Sequence, residues 1–70
     1  MTSALDRINS LHPITKKSFM QEILRGRRID AIKVLWSAEQ KGLREATEFV
    51  TINWSKLRQE ALRLRGIGEI

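Results

Sequence analysis

Leu43, Val50, Leu57 and Leu64 stand seven residues apart, and neither glycine nor proline interrupts the chain between Leu43 and Arg65. Ala46 with Thr47, Asn53 with Trp54, and Ala61 fall between them, which is the heptad arrangement of a helix with one packed seam. The simplest reading is one long C-terminal helix of about 22 residues, roughly 33 Å at 1.5 Å per residue. In the alternative, Thr51-Ile52-Asn53 forms a turn and Asn53 or Ser55 caps a separate last helix. Phe49, Ile52 and Leu62 lie off the seam, so the apolar surface is wider than one stripe. A chain of 70 residues has a thin core of its own, burying only ~60% of its unfolded surface. Self-association along Val50, Trp54, Leu57, Ala61 and Leu64 would supply the missing core, so a homodimer is expected.

The residues before the seam also read as helices. Leu5, Ile8 and Leu11 have helical spacing within residues 1–14, a short helix or an N-terminal arm. His12-Pro13 interrupts, because proline turns its predecessor away from helical dihedrals. Thr15 is a candidate cap for the next helix, in which Phe19, Met20, Ile23 and Leu24 share a face. Gly26 offers a left-handed cap, and Ile29, Ile32, Leu35 and Trp36 begin another stripe that Gly42 is expected to close in the same way. The chain therefore reads as a single all-α domain of three or four helices, with a helical hairpin, a long C-terminal helix and a tail at residues 66–70.

Composition narrows the chemistry. There is no cysteine and one histidine, so disulfides, zinc–thiolate sites and thiol catalysis are excluded. His12 with Ser10 or Ser18 is a poor nucleophile–base set beside Pro13, and Gly66-Ile67-Gly68-Glu69-Ile70 is too short for a phosphate loop. Glu45 and Glu48 share a helix face, an ordinary solvated arrangement. The reading is non-enzymatic, with no cofactor and no metal. No apolar run approaches the ~18 residues of a membrane span, and a cytoplasmic protein with no membrane partner is expected.

Charge supplies the positive clue. Thirteen Lys and Arg against eight Asp and Glu give +5. Residues 15–28 carry +4, residues 29–50 carry −1 and residues 51–70 carry +2. Such an excess favours acidic partners, either a protein face or nucleic acid.

The string from Leu24 to Val50, LRGRRIDAIKVLWSAEQKGLREATEFV, resembles the helical hairpin of the C-terminal domain of the bacterial ribosomal stalk protein, and small stand-alone proteins carrying it. The shared features are Arg27-Arg28-Ile29, Ala31-Ile32-Lys33 and Gly42-Leu43-Arg44-Glu45-Ala46. The resemblance implies two helices packed through Ile32, Leu35, Leu43, Ala46 and Val50, with an electropositive face that docks on translational GTPases. Arg28, Ile29, Ile32 and Lys33 keep the family's character there. Trp36 stands where the family has arginine, Thr47 where it has lysine, and Gln40 where it has the first of two glycines. The family fold also includes a three-stranded sheet, of which Gly66 to Ile70 could imitate one strand.

A second cut of the sequence, Glu45 to Asn53 followed by Ser55 to Arg58, loosely resembles an excisionase-type helix-turn-helix. Lys56, Arg58, Arg63 and Arg65 would then face nucleic acid. Thr51 replaces the turn glycine, and Thr47 the preferred alanine. Another cut, Ala38 to Gly42, fails at Lys41 and Glu48, where apolar residues are required. The stronger expectation is a small regulatory factor that docks on a larger, acidic-faced protein. Its surface would use Arg25, Arg27, Arg28, Ile29, Ile32, Lys33 and an exposed Trp36 or Trp54. A short basic chain of this kind also resembles, by size alone, a phage factor directed at a host machine.

Overall fold

The computed structural model describes residues 4–40 and 42–68. They form five helices: α1 (Ala4–Asn9), α2 (Pro13–Leu24), α3 (Arg28–Glu39), α4 (Leu43–Ile52) and α5 (Trp54–Gly66). No strand forms among the described residues, so the all-helical class holds and the strand imagined for the C-terminus is absent through Gly68; Glu69 and Ile70 lie outside the described residues. Lys41, on which the Ala38–Gly42 reading partly rested, also lies outside them.

Helix α2 starts earlier than Thr15. His12 is the cap, its Nδ1 accepting from the Ile14 amide at 3.2 Å, and Pro13 takes the first helical position. Proline suits that position because its fixed φ is helical and its missing N–H would have no partner there. Phe19, Met20 and Ile23 are buried on one face, as their spacing predicts. Gly26 closes the turn at φ 76°, in the left-handed region that glycine enters without strain. The next turn is different. Gln40 is the left-handed residue, at φ 54°, with its amide donating to the Trp36 carbonyl at 2.9 Å. Gly42 has φ −57° and precedes α4 as its N-cap, so it is not the closing cap expected of it.

The long C-terminal helix is in fact two helices, which raises the count to five. The break is Asn53, with φ −101° and ψ 13°, a backbone conformation outside the regular helix. Both its amide (3.1 Å) and its side-chain Nδ2 (2.9 Å) donate to the Phe49 carbonyl, closing α4. Asparagine's side chain competes with the helical backbone in this way, which is why it favours helix ends. The break separates the packing partners: α4 lies against α3, and α5 crosses to α2 and the short α1. The short connection from Glu39 to Leu43 makes α3 and α4 an antiparallel hairpin.

This arrangement turns the heptad seam inward. Val50, Leu57, Ala61 and Leu64 are buried together with Ile8, Phe19, Met20, Ile23, Ala31, Ile32, Leu35 and Ala46, and Trp54 packs half-buried against them. The five residues expected at a dimer interface thus pack within one chain, and the unpartnered seam that motivated a dimer is gone. Leu43, expected between the hairpin helices, is half exposed.

Two arginines tie distant segments together. Arg7 of α1 donates to Glu39 at the end of α3, from Nε at 3.1 Å, and lies 3.5 Å from Glu45 of α4. Its guanidinium also sits 4.4 Å from the centre of the Phe49 ring. The hydrogen bonds to Glu39 raise the Arg7 pKa against the opposing effect of burial. Arg58 of α5 does the second tying, at the other end of α3.

Candidate functional site

The basic turn between α2 and α3 is where the chain gathers cations around apolar surface. Arg25, Arg27 and Arg28 are all exposed there. Arg25 reaches back one turn to Glu22 at 3.3 Å, an exposed pair of small energetic weight. Arg28, the first residue of α3, lies 4.9 Å above the Trp54 ring at the start of α5. Guanidinium over indole is a favourable cation–π geometry, worth about 0.5–1 kcal/mol at exposed sites. Gly26, Arg28, Ile29, Trp54 and Arg58 line one shallow hollow.

Arg58 lines that hollow and is committed to the fold. Its Nη1 donates to the carbonyls of Ile23 (2.9 Å) and Leu24 (2.6 Å), the last turn of α2. A helix C-terminus leaves carbonyls short of backbone donors and carries partial negative charge, so a guanidinium answers both needs, at Leu24 alone and at Ile23 beside the Gly26 amide. Arg58 is therefore a helix cap, not one of a row of cations aimed at nucleic acid. Arg63, another member of that row, is paired with Glu60 one turn earlier. The hydrogen bond from Arg63 holds the Glu60 carboxyl below its usual range, with smaller help from the charges of Arg63 and Lys16. Lys56 and Arg65 are exposed.

The helix-turn-helix geometry is not present where it was expected. Asn53 alone joins α4 to α5, whereas such a motif needs a turn of three or four residues.

Among the residues expected to dock a protein, Ile32 is a correction: it is 5% exposed and belongs to the core. Arg25, Arg27, Arg28, Ile29, Lys33 and Trp36 all reach the surface. Ile29 is 64% exposed and Trp36 45% exposed, so only half of the predicted apolar stripe of α3 packs inward. Trp54, read from sequence as a seam residue and as the alternative to Trp36 at the docking surface, lies beside Arg28 and Ile29. Its contact with Arg28 had no signal in the sequence, since 25 residues separate Ile29 from Trp54 and only the fold of α5 back over the α2–α3 turn brings them together.

No group of His, Asp or Glu side chains among the described residues could hold a metal ion, and no helix there is long and apolar enough to cross a membrane. No protein-family model, curated protein or solved structure matches the chain.

Proposed function

We propose that this chain is a small non-enzymatic factor that acts in the cytoplasm by docking on a larger, acidic-faced protein. What carries the reading is the Arg28–Trp54 stack beside exposed Ile29, flanked by Arg25, Arg27 and Lys33. Aromatic and arginine side chains at the centre of a patch are the composition of protein-interface anchors. The docking unit needs no second copy, because the heptad residues fill the chain's own core.

Nucleic acid is the weaker reading, since Arg58 caps α2 and Arg63 holds Glu60. The test is capture of partners from bacterial lysate on the tagged chain, with and without nuclease. Recovery of a stoichiometric protein that survives nuclease supports docking, and a translational GTPase among such proteins is what the stalk-like resemblance implies. The triple variant Arg27→Glu, Arg28→Glu, Lys33→Glu is expected to lose that protein, while Lys56→Glu with Arg65→Glu is expected to keep it. The opposite pattern, or recovery that collapses with nuclease, transfers the function to nucleic acid.

A further inference from the structure

The exposed side of α3 ends in two hollows. One is the Arg28–Ile29–Trp54 hollow at its first turn; the other, lined by Trp36, Ser37 and Gln40, lies at its last. Ile29, Lys33 and Trp36 follow at intervals of four and three residues, so they share one face. Ile29 and Trp36 are seven residues apart, about 10 Å along the helix axis. Lys33 stands between them, and among the described residues no carboxylate pairs with Lys33, Arg27 or Arg28.

We infer that this face receives a single acidic amphipathic helix of the partner, with two apolar side chains seven residues apart at the two hollows and carboxylates facing Lys33 and Arg28. The inference rests on the docking reading and names its ligand class. Three observations favour a peptide helix. The two apolar ends match the i, i+7 anchor spacing of a helix laid in a groove. The cations between and beside them form no ion pair with a carboxylate among the described residues, so an acidic segment gains direct contacts that the chain does not already make. Ile29, at the centre of the first hollow, offers an aliphatic contact that phosphate cannot use, and the Arg28 guanidinium already covers one face of Trp54. The hollow on the α2 side of α3 lacks this character. Glu22 and Asp30 share its lining with Arg27 and Lys33, and no aromatic side chain does, so it gives an acidic helix no apolar anchor of that kind.

The probe is a synthetic peptide of about 18 residues, long enough to hold helix, made of glutamate and alanine with two leucines seven apart. Trp36→Phe leaves Trp54 as the sole tryptophan, and Trp54→Phe leaves Trp36. Both single-tryptophan proteins are expected to change emission on binding. Lys33→Glu in the otherwise intact chain is expected to weaken binding by about tenfold, as is replacing both peptide leucines with alanine. Backbone amide shifts of the unmodified chain give the same readout should Trp54→Phe fail to fold. No response to the peptide at millimolar concentration overturns the inference. Binding that ignores the leucines, or that an oligothymidylate outcompetes, overturns it equally. If Arg27→Glu, Arg28→Glu, Lys33→Glu abolishes partner capture while no peptide binds, the helix is the wrong occupant and docking stands. A captured partner that survives that triple change removes the docking reading on its own.

Discussion

The two ends of α3 are built from the same parts and held by different chemistry. Each end has a left-handed residue, Gly26 before it and Gln40 after it. Each has an arginine arriving from a distant helix, Arg58 at the start and Arg7 at the finish. Arg58 donates to neutral backbone carbonyls of α2. Arg7 pairs with carboxylates, Glu39 and Glu45, and lies over Phe49. A carbonyl cap depends on short-range geometry and is screened little by salt, whereas a partly buried ion pair still weakens somewhat as salt rises. The first end is therefore fixed by the backbone, and the second by charge. The docking face begins at the better-fixed end, where Arg58, Trp54 and Arg28 line one hollow.

The sharpest way to break this contrast is to remove both arginines in turn. Arg58→Met is expected to cost about 2 kcal/mol in urea unfolding, because a charged donor shared by two carbonyls is lost and Leu24 is left short of a partner, while the Ile23 carbonyl keeps the Gly26 amide. That loss should be nearly the same in low and high salt. Arg7→Met is expected to cost about 1–2 kcal/mol at low salt, leaving the half-buried Glu39 without its main partner, and visibly less in high salt. A larger loss for Arg7→Met, or equal salt dependence in the two variants, would erase the distinction.

The turns give a smaller effect of opposite sign. Gly26→Ala is expected to destabilise by about 1 kcal/mol, since an L side chain at φ 76° is strained. Gln40→Gly is expected to stabilise by a few tenths to about 1 kcal/mol, as relief of the same strain at φ 54° outweighs the added freedom of the unfolded chain. Thermal midpoints of the two variants should move in opposite directions.

The smallest expected effect calibrates the rest. Glu60 and Arg63 form a pair one turn apart on α5, and such pairs contribute a few tenths of a kcal/mol. Because folding depresses the Glu60 pKa, its contribution is present above the unfolded carboxylate's pKa and lost as pH falls through the folded value. The stability difference between the wild-type chain and Glu60→Gln should therefore shrink as pH falls through the carboxylate range and below it. A difference that grows on acidification would contradict the direction of the shift.

How far the sequence could be read differs by element. Phe19, Met20 and Ile23 were recognisable because a helix face repeats locally and nothing in the tertiary structure overrode it. The Leu43-to-Leu64 pattern was just as regular, yet Leu43 is half exposed and Val50, Leu57 and Leu64 belong to two helices of one chain's core. A heptad records which residues must be covered, not whether the cover comes from the same chain. Asn53 held the clue, since its side chain suits a helix end, but nothing local forced the backbone to break there. On α3, Ile29 and Ile32 looked alike in sequence, and only the directions in which α2 and α4 pack decided that one is exposed and the other in the core.

The sequence by itself determined the helical class, the inward face of α2, the turn at Gly26 and the basic character of residues 25–28, because each depends on neighbours within one or two turns. The tertiary structure alone decided that Arg58 is a cap, that Val50, Leu57, Ala61 and Leu64 complete a core within the chain, and that Trp54 meets Arg28. Those outcomes depend on residues that lie far apart in the chain, 34 positions in the case of Arg58 and Leu24. Local periodicity can show that a side chain needs a partner, and only packing can say which partner it finds.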